Sequence, residues 1–280
     1  MAESQARTRR SAEELKKGRR RSMSEFQAGA EVLQVKGLTG GYSPRRPVLH
    51  ELDFTVRAGE MMGLIGLNGA GKSTTVKHLL GLMAPHRGEV KIGGTTLEAD
   101  PERYRGSYAY VPEAPVLFEE LTVEEHLRLT AMAYGLDEKR YAERRDRLLE
   151  EFRMGPKRGA RAAHLSKGMK QKVMLMNALL AQPALYIIDE PFLGLDPLGI
   201  RSLLDRLTEE RAKGAAILMS THILSTVETY CDRFMLLHGG RIREMGTMDE
   251  VRMSRGAEGD TLEEIFYRVV EESDADGRGA

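Results

Sequence analysis

The most chemically suggestive stretch of this sequence is a run of small residues that ends in a lysine and a serine. It fits the spacing G-x-x-x-x-G-K-[ST] and reads Gly66-Leu67-Asn68-Gly69-Ala70-Gly71-Lys72-Ser73. In such a loop successive backbone N–H groups surround a polyphosphate, and the following helix points its positive end at it. Lys72 is expected to reach the terminal phosphates, and the Ser73 hydroxyl to ligate Mg²⁺. We therefore predict a nucleoside triphosphate site contacted by Gly66, Asn68, Gly69, Ala70, Gly71, Lys72, Ser73 and Thr74.

Two acids follow an apolar run later in the chain. Residues 184–188 predict a buried strand that delivers Asp189 and Glu190 at its carboxyl end, where parallel sheets bind their ligands. Alone, such a run is also common where an ordinary strand meets a turn. With a phosphate loop upstream, we expect Asp189 to hold the Mg²⁺ shell and Glu190 to orient or deprotonate an attacking water.

These residues need particular elements around them. Residues 60–65 predict a buried strand and residues 72–83 a helix, which are the two elements that flank a phosphate loop. The other predicted strands are 32–35, 48–56, 88–92, 107–111, 184–188, 215–220 and 233–237. The first two of these surround a turn-rich segment and predict an antiparallel sheet.

Residues 113–182 have the pattern of an inserted helical block. Thr122 and Glu125 have the spacing of a capping box, Ser166 caps a later helix, and Pro183 ends it. Strands that alternate with helices imply a mostly parallel sheet covered on both faces. We therefore predict an α/β fold with a mostly parallel sheet core, an N-terminal antiparallel β subdomain and an inserted α-helical subdomain.

Composition bounds the classes of function. Of 280 residues, 42 are Lys or Arg and 42 are Asp or Glu, so the charge gives no sign of a nucleic-acid partner. No apolar run approaches the ~20 residues that a membrane-spanning helix needs, and the N-terminus lacks the apolar core of a signal peptide. These features favour a soluble cytosolic protein. The single cysteine, Cys231, is interpreted as a small buried apolar group.

The two ends differ in composition from the middle. Residues 1–30 carry eight Lys or Arg against four Glu and predict a disordered arm. A weak attraction of this arm to anionic lipid, or translation that starts at Met23, are the alternatives. Residues 247–280 are expected to hold a C-terminal helix and an acidic tail, disordered over 271–280. Residues 31–246 are then the functional domain.

Further motifs identify a family. Leu165-Ser166-Lys167-Gly168-Met169-Lys170-Gln171 resembles the signature sequence of ATP-binding-cassette (ABC) ATPases. Gly194-Leu195-Asp196 matches the family's D-loop, Ser220-Thr221-His222 its switch histidine, and Tyr42 stands where the family stacks an aromatic ring on adenine. The resemblance covers about residues 31–246. The runs 165–171 and 189–197 look particularly like those of the Ecs-type ATPase subunits of bacterial ABC exporters. The segment Tyr110-Val111-Pro112-Glu113 is similar to the same subunits.

The resemblance implies a RecA-like P-loop NTPase fold and a head-to-tail homodimer, with each ATP between the phosphate loop of one subunit and the signature of the other. Ser166 and the Gly168 N–H would contact the γ-phosphate across the interface, and His222 would contact it from its own subunit. The implied catalytic residues are Lys72, Glu190 and His222. The implied nucleotide contacts beyond the phosphate loop are Tyr42, Glu113, Ser166, Gly168 and Asp196, and the implied metal ligands are Ser73, Asp189 and Glu113.

The chain departs from the family's pattern at three positions. Lys167 and Met169 replace the signature's usual glycine and glutamine, and Lys167 would add positive charge near the phosphate across the interface. Glu113 stands at the place of the Q-loop glutamine. A carboxylate there would ligate Mg²⁺ but add negative charge, and we expect altered metal affinity or pH dependence.

Two classes of function fit the resemblance. The first is the ATP-hydrolysing subunit of an exporter, at the cytoplasmic face of the membrane, which powers membrane permease subunits on other chains. The run Pro115-Val116-Leu117-Phe118 would contact those subunits or pack in the core. The second is a soluble ABC ATPase that acts in translation, DNA repair or assembly. The chain has one cassette and no long heptad insertion, which favours the transporter.

Overall fold

Two sheets form the framework of the protein, for which the computed structural model describes residue 27 and residues 29–277. The smaller sheet is antiparallel, in the order β2-β1-β4. The larger sheet has the order β5-β6-β7-β3-β8-β9, and all its pairs are parallel except β8-β9. The strands are β1 Glu31–Gly40, β2 Leu49–Arg57, β3 Met61–Ile65, β4 Arg87–Ile92, β5 Tyr108–Val111, β6 Leu185–Asp189, β7 Ala216–Ser220, β8 Arg233–His238 and β9 Arg241–Gly246.

Helices cover the larger sheet and build a separate block between β5 and β6. They are α1 Lys72–Leu79, α2 Pro101–Gly106, α3 Val123–Ala133, α4 Glu138–Glu151, α5 Lys167–Ala181, α6 Pro197–Ala212, α7 Leu224–Tyr230, α8 Met248–Arg255 and α9 Leu262–Gly277. Every residue of β3, β6 and β7 is buried. Continuous apolar strands of this kind are the mark of a parallel sheet covered on both faces, so the predicted fold class is confirmed.

The helical block forms as its caps and apolar positions predict. The Thr122 hydroxyl and the Glu125 carboxylate make the reciprocal bonds of a capping box at the start of α3. On α4 the residues Tyr141, Leu148 and Leu149 are buried, and Phe152 follows them into the same core. Helix α5 ends at Ala181, and the left-handed φ of 47° at its C-cap residue Gln182 turns the chain before Pro183.

Three expectations differ from the structure. Helix α1 ends at Leu79 and not at residue 83, because Gly81 adopts a left-handed φ of 70° and the N–H of Leu82 bonds back to the Lys77 carbonyl. Two helices, α8 and α9, replace the one expected after residue 246. The tail expected to be disordered over 271–280 is helical as far as Gly277. The basic arm over 1–30 lies outside the described residues except at its end.

The C-terminal helices pack on the back of the parallel sheet. Ile265 and Val269 of α9 join Phe234 and Leu236 of β8 in one apolar cluster. The Arg255 guanidinium links Glu244 of β9 to Glu272 near the end of α9, the latter at 2.8 Å. These contacts explain why an acidic segment is ordered there.

Candidate nucleotide site

The phosphate loop joins β3 to α1 and is shaped by glycines. A Cβ on Gly66 would collide with the Leu237 carbonyl oxygen, and Gly71 has a left-handed φ of 113°. Both positions therefore require glycine. Among the described residues no side chain caps the N-terminus of α1, and its first turn contains no acid. The amides at this positive helix end therefore remain available to an anion.

The Lys72 ammonium folds back over this loop. Its Nζ donates to the Gly66 carbonyl at 2.6 Å and to the Leu67 carbonyl at 3.3 Å. Ser73 is exposed at the same end of the helix, whereas the Thr75 hydroxyl is buried and donates to Gly71. The lysine and the serine hydroxyl thus lie at the helix end where the sequence predicts phosphates.

The two acids lie at the carboxyl end of β6, and Ser220 of the neighbouring strand contacts both. Its hydroxyl donates to the buried Asp189 carboxylate, and its carbonyl accepts from the Glu190 N–H at 3.0 Å. The two strands are in register, with Asp189 opposite Ser220. Sequence reasoning assigned no role to Ser220, because the register of β6 and β7 decides it.

Glu190 and His222 form a hydrogen-bonded pair at this strand end. Glu190 has an unusual φ of 45°, and its Oε2 lies 2.8 Å from Nδ1 of His222. The histidine side chain is 62% exposed, whereas Glu190 is 12% exposed. A non-glycine residue in the left-handed region is uncommon and is often found at functional sites. The arrangement leaves the other edge of the imidazole in solvent.

Glu113 is exposed just after β5, the strand beside β6. The pKa of Tyr110 in β5 responds to the charge of Glu113. Burial, and then the negative charges of Asp189 and Glu113, raise the pKa of Tyr110 to about 12. The charges of Glu113 and Asp189 therefore both act on the Tyr110 phenol.

Tyr42 lies on the turn after β1 and is 68% exposed. Lys77 of α1 donates to its hydroxyl at 3.0 Å. Hydrogen bonds from Lys77 and then from Thr74 hold the pKa of the Tyr42 phenol below its usual value. Helix α1 therefore contacts both the phosphate loop and this aromatic ring, a link that the spacing of Thr74 and Lys77 on one helix face could have suggested.

The signature residues lie at the N-terminus of α5, in the helical block. The exposed Ser166 caps the helix by accepting from the Met169 N–H at 3.3 Å. Gly168 packs directly on the Gly194 backbone, and a Cβ there would collide with the Gly194 carbonyl oxygen. The contacts of this helix end are therefore with the D-loop segment and with its own block.

Ion pairs tie the same helix to its neighbours. Lys172 binds Asp196 at 3.2 Å, and Lys170 binds Glu119 at 2.8 Å. Asp196 also accepts from the Gly199 N–H at 2.6 Å and so caps α6. The Gly199 bond, followed by Lys172, lowers the pKa of Asp196. One chain thus brings together the phosphate loop, Asp189, Glu190 and His222 at the carboxyl ends of β3, β6 and β7, and its signature residues pack against Gly194 and Asp196.

The described part of the chain lacks a ready-made metal cluster and a membrane-spanning helix, and its cysteine is unreactive. Residues 27 and 29–277 contain no group of three or more His, Cys, Asp or Glu side chains that could hold a metal. No helix within these residues is long and apolar enough to cross a membrane. The Cys231 sulfur packs beside Gly63, and burial raises the pKa of this thiol to about 12, so it is a poor nucleophile.

Comparisons with known proteins agree with this geometry. The ABC transporter family profile matches residues 49–193. The ABC-type transporter ATP-binding protein EcsA of Bacillus subtilis (strain 168) is 54% identical over 241 residues, which cover 86% of this chain and 97% of EcsA. The Nod factor export ATP-binding protein I of Rhizobium sp. (strain N33) is 38% identical over 194 residues, or 69% of this chain and 64% of that protein.

A solved structure gives the same answer for the fold. An ATP-binding subunit of an ABC transporter superposes with a TM-score of 0.83 at 56% identity, over 85% of this chain and 99% of that one. The family predicted from the motifs is therefore confirmed. The chain belongs to the ABC transporter family as an ATP-binding subunit, and it is an ATPase.

Proposed function

We propose that this chain hydrolyses ATP with Glu190 as general base and drives the membrane subunits of a bacterial exporter. The observation that carries the proposal is the contact between the ends of β6 and β7. Ser220 of β7 hydrogen-bonds to both Asp189 and Glu190 beside the phosphate loop. The names of the relatives support the transporter over a soluble ABC ATPase, since the Rhizobium protein is described as an export ATP-binding protein.

The polyphosphate would lie on the N-terminal amides of α1. The Lys72 ammonium there now donates to two carbonyl groups of the loop. Lys72 would exchange Gly66 and Leu67 for phosphate oxygens, which are stronger partners because they are charged. The exposed Tyr42 ring would stack on the adenine. The neighbouring residues Asn68, Gly69, Ala70 and Thr74 complete the surface around the phosphates.

A magnesium ion fits the oxygen donors of this site. The Ser73 hydroxyl and the Asp189 carboxylate are hard ligands, and Mg²⁺ commonly binds to one or two carboxylates together with substrate phosphates. Glu113 is the third candidate ligand. When bound, the ion would neutralise charge that develops on the phosphate oxygens. Ser220 would keep the Asp189 carboxylate oriented for this ligation through its hydroxyl.

Glu190 is built to orient and deprotonate water. Its carboxylate is mostly shielded, and its backbone is fixed by the bond to Ser220 and by an unusual φ. His222 holds one carboxylate oxygen and exposes the rest of its ring, with which it would contact the γ-phosphate. His222 would thus connect the γ-phosphate to Glu190, the residue that activates the water.

A homodimer would complete the site. Ser166 is exposed at a helix N-terminus, where an anion is favoured, and the Gly168 N–H belongs to the first turn of the same helix. Exposed apolar side chains lie beside both halves of the site; they are Leu67 in the phosphate loop and Leu193 and Leu198 around the D-loop. A second copy placed head to tail would bury them and supply the signature to each ATP, with Asp196 at the same interface.

The contact with the membrane subunits would use the segment after Glu113. Val116 is 74% exposed and Phe118 is 61% exposed, whereas Leu117 packs against the helical core. His126 holds Phe118 in place, since it stacks on the ring and accepts from the Phe118 N–H at 3.0 Å. The next residue, Glu119, binds Lys170 of the signature helix. A movement of the membrane subunits at the cytoplasmic face of the membrane would displace this segment. Through Glu119 and Lys170 it would then shift the signature helix α5.

The test replaces Glu190 by Gln, which keeps the size and removes the base. We expect the variant to bind ATP, to lose hydrolysis, and to sediment as a dimer in ATP, since the closed state no longer decays. Glu98→Gln, a change at an exposed acid on another surface, is the matched control and should hydrolyse ATP normally. Turnover of Glu190→Gln near that of the control would refute the general base, and a monomer at saturating ATP would refute the homodimer.

A further inference from the structure

Lys77 lies outside the phosphate loop and contacts Tyr42, whose ring is the proposed platform for the nucleotide base. Its ammonium lies 3.0 Å from the Tyr42 hydroxyl but 5.1 Å from the centre of the ring. It is therefore at the rim of the ring, beside the oxygen, and does not cover the middle of either face. The ring remains 68% exposed, so a flat ligand has a free surface on which to stack.

Lys77, which donates to the Tyr42 hydroxyl, lies on the same face of α1 as Thr74. Thr74 and Lys77 are three residues apart, which places their side chains next to each other on a helix. Thr74 directly follows Ser73 and comes two residues after Lys72. The helix that presents its N-terminus to the phosphates therefore also holds the aromatic ring, less than two turns further along.

The turn that carries Tyr42 is also seated on α1. Gly40 packs so closely on the imidazole of His78 that a Cβ would lie 2.5 Å from its Cε1. The Val48 N–H closes the turn by donating to the Gly40 carbonyl at 2.8 Å, and Gly41 has no room for a side chain against Val48. The backbone of the turn is thus fixed relative to α1. What remains adjustable is the direction of the exposed Tyr42 side chain.

We propose that Lys77 is a positioning residue for recognition of the nucleotide base. It holds the Tyr42 ring at a set distance from the phosphate loop, so that the base platform and the phosphate cradle are aligned before ATP arrives. The inference rests on the proposed function, in which Tyr42 stacks on adenine. A ring ordered in advance loses less side-chain freedom on binding, which favours affinity for the whole nucleotide over its phosphates alone.

The test compares ATP with inorganic tripolyphosphate, which has the phosphates but no base. Lys77→Met keeps the aliphatic stem and removes the charge and the donor. We expect it to weaken ATP binding about 3- to 10-fold, to raise KM for ATP while kcat is retained, and to leave tripolyphosphate binding unchanged. Lys91→Met is the matched control, because Lys91 also donates to a single side chain, that of Glu89 at 2.6 Å, on another surface.

Two variants of Tyr42 separate the possible failures. Tyr42→Phe removes the hydroxyl, so it should weaken ATP binding as much as Lys77→Met, and the double variant should be no weaker than either alone. Tyr42→Ala with unchanged ATP affinity would refute the stacking role itself. If Tyr42→Ala weakens ATP binding but Lys77→Met does not, the positioning role is refuted. Equal losses for ATP and tripolyphosphate in Lys77→Met would also overturn it, because the lysine would then act on the phosphates.

Discussion

The two halves of the proposed nucleotide site, the phosphate loop and the signature end of α5, are held by different forces. The phosphate loop is shaped by backbone, with glycines pressed on the Leu237 carbonyl and helix amides that no described side chain caps. The signature end of α5 is held largely by charged side chains, in the pairs Lys172–Asp196 and Lys170–Glu119. A backbone cradle is rigid and insensitive to salt, whereas ion pairs respond to pH, salt and neighbouring movement. The first half is suited to bind, and the second to be moved.

The largest effect is expected from removing the lysine of the phosphate loop. Lys72→Ala removes the ammonium that would bind the terminal phosphates, and we expect ATP affinity and hydrolysis to fall by about 100-fold or more. Binding can be measured with a fluorescent ATP analogue and checked against circular dichroism to show that the fold is retained. Undiminished affinity would contradict the placement of the phosphates on α1.

Damage to the signature half should leave binding to one subunit intact. Ser166→Ala is expected to preserve ATP affinity of the isolated chain but to reduce ATP-driven dimerisation and hydrolysis by about 10-fold. The change also removes a helix cap, which costs about 1 kcal/mol. Thr122→Ala removes the equivalent cap from α3 and is the control. Equal losses of hydrolysis in both variants would mean that Ser166 matters only to folding.

Glu113 follows β5 and precedes the helical block, so it is a candidate for either of two roles. Two replacements of this residue distinguish Mg²⁺ ligation from the relay of movement to the membrane subunits. If it ligates Mg²⁺, Glu113→Gln should keep hydrolysis and shift its pH optimum, whereas Glu113→Ala should weaken Mg²⁺-dependent hydrolysis several-fold. If it relays movement, both variants should hydrolyse ATP normally alone and lose stimulation in the complex with the membrane subunits. No change in either setting would show that Glu113 has neither role.

The smallest effect tests whether the helical block is held by charge. Burial alone would raise the pKa of Glu124, but hydrogen bonds from Tyr141 and Arg158 and the charge of Arg145 lower it on balance. A lowered carboxyl pKa stabilises the fold above the ordinary value of 4.5 and loses this effect as pH falls through the folded value. Glu124→Gln should therefore cost about 1–2 kcal/mol at pH 7 and nearly nothing at the acid end of the titration. Urea denaturation at several pH values measures this, and a pH-independent difference would contradict it.

The sequence predicted what local chemistry dictates. A phosphate loop needs its glycines, lysine and serine at fixed spacing, so the loop could be located from Gly66 to Ser73, and the caps at Thr122 and Ser166 follow equally local rules. The strands β3, β6 and β7 were recognisable because burial on both faces makes them apolar throughout. The family assignment followed from the order of the motifs.

What the sequence did not predict depends on partners distant in the chain. Ser220 meets Asp189 through the register of two strands that are 31 residues apart. The helical conformation of residues 271–277 depends on Arg255 and on the apolar contacts of Val269, which an acidic composition does not reveal. The early end of α1 is set by the conformation of Gly81, whereas the apolar pattern continues past it. The roles of the individual site residues stay predictions.

The contact between Gly168 and Gly194 has a consequence for genetics. The atom that a methyl group at 168 would strike is a main-chain oxygen, and the facing residue is already the smallest one. A compensating change at 194 cannot create room, as it can where two side chains collide. A screen for revertants of Gly168→Ala should therefore yield true reversion to glycine and no second-site suppressor at position 194.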